Sequence, residues 1–261
     1  MKRTVFILLL SFLISCCHYR EEGVIAKHYF IGETKISVIE RCYYPCHPGV
    51  LFINLHHNET TSLNAGKQYL NRIGGRLINI DNNGERLINF KYNEANYTFD
   101  PNRIYSAYGI DSTVTALSQQ YDSVAALQVS KFARSLISDF IYSSNLIVSL
   151  HNNRDSSLSI LTFKDSSSIS NNSAEVFINP AMDVDDFLLT TDKGLFKRIK
   201  EKNINVVCED IDIVKDDGSL SLYAARNKIP YVNIEAQHQH FDEQLEMLMV
   251  LEDIIKEYRQ E

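Results

Sequence analysis

The chain has 261 residues, 44% of them hydrophobic and 23% charged, so it can bury a sizeable core as one globular domain, which excludes a disordered or fibrous protein. Its formal net charge of −7, without a long run of Lys or Arg, argues against nucleic acid or an anionic membrane surface as the main partner. A small or peptide-like ligand fits this charge better.

The N-terminus is predicted to direct export. Lys2 and Arg3 precede an apolar segment, residues 5–13, that is too short to span a bilayer as a stable helix. The Leu-Ile-Ser-Cys segment that ends at Cys16 resembles the lipobox of bacterial lipoproteins, in which the cysteine is acylated. We therefore expect residues 1–17 to be a lipoprotein signal peptide and Cys16 to be the lipidation site. The alternative is a plain signal peptide with a chance cysteine.

The chain after the signal peptide is predicted to be exported and anchored by lipid to a membrane of the bacterial cell envelope, with its domain in the periplasm or outside. Residues 18–34 are predicted to be a tether, and residues 35–261 a single domain. Cys42 and Cys46 lie early in this domain and have no nearby Cys or His partners that would suggest a metal site. They form either a small disulfide loop, which export permits, or two free thiols.

Within the domain, short β-rich segments alternate with longer helical segments. This alternation predicts an α/β sandwich with a central mixed, mainly parallel sheet flanked by helices. Strands are predicted at residues 35–40, 49–55, 76–80, 145–150, 203–208 and 230–235. Helices are predicted at residues 60–73, 113–142, 185–202 and 241–258.

Two of the predicted helices carry apolar residues at helical spacing, which indicates core faces rather than cofactor sites. Residues 164–174 are small and polar and are predicted to form a flexible loop, either simply solvated or acting as a lid. The two apolar stripes consist of Val124, Leu127, Phe132, Leu136 and Phe140, and of Leu245, Leu248, Leu251 and Ile254.

Three predicted strands end in polar, potentially reactive side chains. One strand is followed by His56 and Glu59, a second by His151 and a third by Glu235. Ligand sites in α/β sheets lie beyond the carboxyl ends of the strands. We therefore expect these four side chains to belong to one site.

These residue types suit a catalytic zinc ion. Two imidazoles and a carboxylate can hold Zn²⁺ and leave a fourth position for a water of lowered pKa, and we expect His56, Glu59 and His151 to be those ligands. A further carboxylate must take the proton of the water and pass it to the leaving amine. Glu235 is the predicted general base.

The order of the motifs resembles that of the zinc carboxypeptidase superfamily, the M14-like metallopeptidases and their acyl-amide-cleaving relatives. The motifs span most of the chain after the signal peptide. In chain order they are His56-x-x-Glu59, similar to the zinc-binding pair; Asn102-Arg103, similar to the substrate-binding pair; His151, similar to the third zinc ligand; Gly218-Ser219, similar to the Gly-Ser segment; and Glu235, similar to the general base.

The resemblance implies a carboxypeptidase-like fold and zinc-dependent hydrolysis of a peptide or acyl-amide bond. It implies that Asn102 and Arg103 bind substrate, with the Arg103 guanidinium holding a carboxylate or polarising the scissile carbonyl. Arg86 is predicted to be a second such group. The expected envelope location suggests a peptidoglycan-derived peptide as the substrate.

The sequence also departs from the digestive carboxypeptidases. Their tyrosine before the Gly-Ser segment falls near Ile213 here, so its role is either missing or met by a residue such as Tyr223. The chain is also short for a digestive carboxypeptidase. Exopeptidase activity is therefore not implied.

Two other functions are compatible with the sequence. Residues 149–153 resemble the Ser-x-His-x-Asn segment of N-acetylmuramoyl-L-alanine amidases, although the short His-x-x-Glu spacing counts against that family. A non-catalytic lipoprotein that binds a ligand in this pocket is the second alternative.

Several polar residues near these motifs are expected to have structural roles rather than to bind a metal. His57 is an alternative to His56 as a ligand but is expected to pack beside the site. His238 and His240 could form a rival metal site, but we expect surface or supporting roles because they follow the end of a strand. Asp100 and Asp216 are each predicted to lie in a turn.

Overall fold

The computed structural model describes residues 21–154, 158–164 and 174–259. Cys16 and the rest of residues 1–20 lie outside the described residues, and so does most of the predicted loop, residues 165–173. The strands are β1 Glu21–Ile31, β2 Thr34–Tyr43, β3 Val50–Asn54, β4 Gly75–Asp81, β5 Ile88–Tyr92, β6 Ala95–Phe99, β7 Leu146–Asn153, β8 Ala174–Phe177, β9 Phe187–Thr190, β10 Val206–Glu209 and β11 Tyr231–Gln237. The α-helices are α1 Thr60–Ile73, α2 Ala107–Ser118, α3 Ser123–Leu136, α4 Lys193–Glu201, α5 Leu220–Arg226, α6 Phe241–Val250 and α7 Glu252–Tyr258.

Nine strands form one sheet in the order β1-β2-β4-β3-β7-β11-β9-β10-β8. The central strands β4, β3, β7 and β11 run parallel, as do β9 and β10, whereas the outer pairings include antiparallel neighbours. Helices cover both faces. The predicted fold class, a single α/β domain with a central mixed, mainly parallel sheet flanked by helices, is confirmed.

The central strands are apolar because helices cover them on both sides. In β3 the side chains of Leu51 and Ile53 enter one core, which α2 and α3 cover, while Val50 and Phe52 enter the opposite core, which α1, α6 and α7 cover. This alternation is the two-residue period of a strand. Together the two cores hold the central strand ends in fixed positions.

The prediction of a tether over residues 18–34 is wrong for residues 21–31. These residues form β1, which pairs antiparallel with β2 along its length. Ile31 is fully buried, and the ring of Tyr29 contacts that of Phe132 on α3 at a centroid distance of 5.6 Å. The folded domain therefore includes β1.

Three of the four predicted helices are not continuous in the structure, and the helix predicted over residues 241–258 divides at Leu251 into α6 and α7. Gln119 adopts a left-handed conformation that ends α2, and the Asp122 carboxylate then accepts hydrogen bonds from the backbone amides of Val124 and Ala125 to begin α3. A π-helical turn, Ile137–Ile141, continues α3. The segment predicted as a helix from residue 185 instead contains β9 followed by α4.

The prediction that the first apolar stripe forms a core face is only partly correct. Phe132, Leu136 and Phe140 are buried, but Val124 and Leu127 are exposed. The first turns of α3 bury small residues, among them Ala125, against the core instead, because that face is the one turned toward the sheet. In the last helices Leu248, Leu251 and Ile254 are buried, and Leu245 packs at the edge of the core.

Cys42, near the end of β2, and Cys46, in the connection to β3, form a disulfide, which decides between the two alternatives left by the sequence. Within the described ranges, no helix is both long and apolar enough to cross a membrane.

Candidate metal centre and active site

The candidate site lies at the carboxyl ends of the central parallel strands. His56 and Glu59 occupy the connection from β3 to α1, where the Glu59 amide donates to the His56 carbonyl at 3.0 Å. His151 lies in β7 and Glu235 in β11, and the two residues are direct partners in the parallel pairing of these strands. The structure thus brings together the four side chains that the sequence singled out.

His56, Glu59 and His151 form one buried cluster. Nδ1 of His56 lies 2.9 Å from Oε1 of Glu59, and Nδ1 of His151 lies 2.9 Å from Oε2 of the same carboxylate. The three potential ligand atoms lie within 4.8 Å of one another. This group could hold a metal ion.

The opposite nitrogen of each imidazole is held by a supporting group. Nε2 of His56 contacts Oδ1 of Asp100 at 2.8 Å, and Nε2 of His151 contacts Oγ of Ser149 at 2.9 Å. Such contacts orient metal-binding histidines and select the nitrogen that remains free. Both Nδ1 atoms therefore face the cluster.

A buried polar atom supports the same arrangement. Nδ1 of His56 makes no hydrogen bond despite its short distance to Glu59, because the geometry does not allow one. Leaving such an atom unpaired costs about 1–3 kcal/mol. A metal ion coordinated by this nitrogen would supply the missing partner, so the residues fit a metal site.

The charges of the cluster depend on one another. Burial alone would lower the pKa of His56, but the Glu59 and Asp100 carboxylates outweigh it and raise this pKa to about 9. Burial would raise the pKa of Glu59, but the two imidazoles hold it well below the usual range of a carboxyl group. Glu59 is therefore an anion under ordinary conditions, as a metal ligand must be.

Glu235 faces the same cleft, which has a volume of about 630 Å³. Its Oε1 accepts a hydrogen bond from Nδ2 of Asn233 at 2.9 Å. Burial raises the pKa of Glu235, and the nearby His151 opposes this rise. A carboxylate of raised pKa beside the candidate metal ligands can accept a proton and release it again.

The three predicted substrate-binding residues also line this cleft. Arg86 forms an ion pair with Glu59 and lies 3.7 Å from Asp100. Arg103 donates to the Asn102 carbonyl at 2.8 Å and lies 3.6 Å from Asp217. Oδ1 of Asn102 accepts from the Leu220 amide at 3.1 Å, so this side chain also fixes the start of α5.

The other histidines have separate surroundings. Nδ1 of His57 accepts from the backbone amides of Asn82 and Gly84, which turns its ring away from the cluster. His240 pairs with Asp186 at 2.9 Å, whereas His238 lines the edge of the cleft. Among the described residues, His56, Glu59 and His151 are the one group of three suited to a metal.

The sequence does not predict the two residues that support the imidazoles, Asp100 and Ser149, and it leaves open whether Tyr223 caps a substrate. Asp100 was assigned only a turn; its Oδ1 does accept from the Asn102 amide at 2.8 Å, but it also holds His56. The signal that could have identified it is its position directly after β6. Tyr223 packs against Tyr105 and does not line the cleft, so it is not placed to cap a substrate.

No known protein family and no curated protein matches the sequence. Solved structures show a remote likeness. A candidate metallopeptidase from Shewanella baltica OS155 is 14% identical, with a TM-score of 0.38 over 89% of this chain and 85% of that chain. An aspartoacylase family protein from Mesorhizobium loti is 11% identical, with a TM-score of 0.43 over 88% and 67% of the two chains.

A candidate succinylglutamate desuccinylase/aspartoacylase from Shewanella frigidimarina is 11% identical, with a TM-score of 0.37 over 87% of this chain and 71% of that chain. At these identities and TM-scores the likeness does not define an activity. The function must therefore be argued from the side chains of the cleft.

Proposed function

We propose that the chain is a zinc-dependent hydrolase that cleaves a peptide or acyl-amide bond. One observation carries this proposal: the buried cluster of His56, Glu59 and His151 shares a cleft with Glu235, which is paired with His151 across adjacent strands. This arrangement supports the proposal, because a carboxylate beside a metal site could accept the proton of the attacking water.

His56, Glu59 and His151 would hold the zinc ion. Two imidazole nitrogens and one carboxylate are a common ligand set of catalytic zinc, and the bound ion would lower the pKa of water and polarise the substrate carbonyl. Asp100 and Ser149 would keep both rings in the orientation that presents Nδ1.

Glu235 would act as the general base and then as the general acid. Its carboxylate would remove the proton of the attacking water and deliver it to the leaving nitrogen. Its hydrogen bond with Asn233 would hold Oε1 in place for both steps.

The cationic side chains of the cleft would bind the anionic parts of the substrate. Arg103 is about two-fifths exposed and borders the cleft, so its guanidinium could pair with a carboxylate or with the oxygen of the scissile carbonyl. Arg86 lines the same cleft and would be a second such cation, and Asn102 would bind substrate through its amide nitrogen.

The setting of the reaction is part of the proposal. Lipid attachment at Cys16 would place the domain at a membrane of the cell envelope, and a peptidoglycan-derived peptide would be the substrate there. These two statements depend on the N-terminal motif alone.

The Glu235→Gln variant tests the proposed function. The zinc-loaded full-length chain should release amines from a panel of N-acyl amino acids and N-acyl peptides, measured with fluorescamine. Glu235→Gln should keep its zinc and lose at least about 100-fold in rate, because the general base is gone. The control Glu201→Gln removes an exposed carboxylate on α4 and should leave the rate unchanged.

Equal rates in the parent and in Glu235→Gln would contradict the assigned role. A parent without activity on the whole panel would count against hydrolysis of these bonds.

A further inference from the structure

A second pocket opens beside the metal site. Its volume is about 310 Å³, and it shares Asn102, Arg103 and Glu235 with the main cleft. We call it the Glu209 pocket, after the carboxylate at the end of β10 that lines it. A substrate held at Glu235 can extend a side chain into this pocket.

The walls of the Glu209 pocket are largely apolar. The rings of Phe163 and Phe187 contact each other at a centroid distance of 5.9 Å. The apolar side chains that line the pocket include Phe163, Phe187, Leu189 and Leu222. Such walls favour an aliphatic stem over a short polar group, since burial of apolar surface is favourable.

Two hydrogen-bond acceptors of this pocket have no donor among the described residues. Oδ1 of Asn233 is buried and makes no hydrogen bond, and its orientation is fixed because Nδ2 donates to Glu235. The Glu209 side chain is partly buried and has no hydrogen bond or ion pair with the described part of the chain. The pocket therefore lacks a donor for two acceptors.

The pocket also has an excess of negative over positive side chains. Arg103 is the cation that lines it, and this guanidinium already lies 3.6 Å from Asp217. Among the described residues Glu209 forms no ion pair, although Arg103 acts on it from a longer distance. Burial and the Asp217 carboxylate raise the pKa of Glu209 to about 7, although Arg103 opposes this rise. A bound cation would favour the ionised form.

We propose that the Glu209 pocket binds a substrate side chain that carries an ammonium group on an aliphatic stem, as in lysine or another diamino acid. Glu209 is the specificity-determining residue, and Oδ1 of Asn233 is a further unpaired acceptor in the same pocket. This inference rests on the proposed function, because it assigns the substrate class of that site.

Two matched probes test the pocket without requiring catalysis. N-acetyl-L-lysine and N-acetyl-L-norleucine share the same aliphatic stem, but only the lysine probe ends in an ammonium group. Calorimetry on the full-length chain with zinc should show that the lysine probe binds at least about tenfold more tightly, as expected for a charge-assisted contact in a partly buried pocket.

Substitution of Glu209 should remove this preference. In Glu209→Gln the two affinities should differ by less than about twofold, because the ammonium group loses its charged partner. The norleucine probe should bind as in the parent, which shows that the pocket is still formed. Glu209→Asp should keep part of the preference, and the control Glu201→Gln should keep all of it.

The proposal is overturned if the parent binds both probes equally, if neither probe binds, or if the preference survives in Glu209→Gln. Hydrolysis of acetyl-Ala-Lys and acetyl-Ala-norleucine distinguishes a failure of the pocket assignment from a failure of the hydrolase assignment. Cleavage of both at equal rates would contradict the pocket assignment alone. The predicted binding preference without any cleavage would contradict the hydrolase assignment alone.

Discussion

The Asp100 carboxylate links the Asn102-Arg103 segment to the candidate metal centre. Its Oδ1 accepts from the amide of Asn102 and also contacts Nε2 of His56. Because that contact holds the His56 ring, the position of a proposed metal ligand depends on a residue 44 positions further along the chain.

We expect Asp100→Asn to weaken zinc binding by about 10- to 100-fold, since the supporting partner of a metal-binding histidine loses its charge. The measurement is competition with a chelator of known zinc affinity. Asp111→Asn, an exposed change on α2, is the control and should bind zinc like the parent. Equal affinity of Asp100→Asn and the parent would contradict the supporting role.

Asp100 should also make stability depend on pH. Burial alone would raise its pKa, but hydrogen bonds and charges from His56, Asn102 and Arg86 lower it to about 2. A carboxyl whose pKa is lower in the folded chain stabilises it above the unfolded pKa of about 3.9, and this stabilisation is lost as the pH falls toward 2. Urea unfolding at pH 5 and pH 3 should show a larger loss for the parent than for Asp100→Asn; equal losses would contradict this.

The site residues differ in how far the sequence could predict them. His56, Glu59, His151 and Glu235 follow apolar strands, so their convergence could be expected from the strand ends. The contacts of Ser149 and Asp100 with the imidazoles could not be predicted, because they depend on side-chain geometry. The spacing of residues along the sequence does not specify that geometry.

At the scale of elements, α2 packs against the segment that begins α5 by a close contact between glycines. A Cβ atom on Gly109 would lie 2.3 Å from Cα of Gly218 and 2.6 Å from the carbonyl oxygen of Arg103. Both are backbone atoms, so neither can move without shifting a chain segment. This contact positions the Arg103 segment beside the cleft.

Gly109→Ala should therefore destabilise the chain by about 1–3 kcal/mol through overpacking, although alanine in a helix interior normally stabilises by about 1 kcal/mol. Urea unfolding measures the change in free energy. Gly23→Ala is the control, since a Cβ there meets no atom within 4 Å. A Gly109→Ala variant as stable as the parent would show that the two segments can separate freely.

Long elements were easier to predict than short ones. Helix α1 has the predicted bounds, residues 60–73, because its periodicity and its preceding strand are both clear. Strands β8 and β9 have four residues each, too few to show a period. The end of α2 at Gln119 is not evident from the sequence, because a residue other than glycine rarely adopts the left-handed conformation and does not predict it.

At the scale of the whole molecule, the sheet extends beyond the predicted domain boundary. Strand β1 forms one edge of the nine-stranded sheet, and its sequence resembles a tether because most of its described side chains are exposed and it lacks the apolar run of a central strand. The fold class can be predicted from the alternation of strands and helices. The strands at the edges of the sheet cannot, because they lack the apolar pattern of the central strands.

A chain that begins at residue 35 should be less stable than one that begins at residue 21. Removal of β1 exposes the edge of β2 and deletes the buried side chain of Ile31, which alone contributes roughly 1.5–3 kcal/mol. Urea unfolding and size-exclusion chromatography measure the loss of stability and any aggregation. Equal stability of the two chains would show that the domain begins at residue 35.

Zinc content is the most direct test of the central claim. The parent should bind about one zinc ion per chain, and the content should fall sharply in both His56→Ala and His151→Ala because each removes one of three protein ligands. His57→Ala, whose ring faces the loop after β4, should keep its zinc. A parent that binds no zinc after loading, or zinc retained in both ligand variants, would contradict the site built from His56, Glu59 and His151.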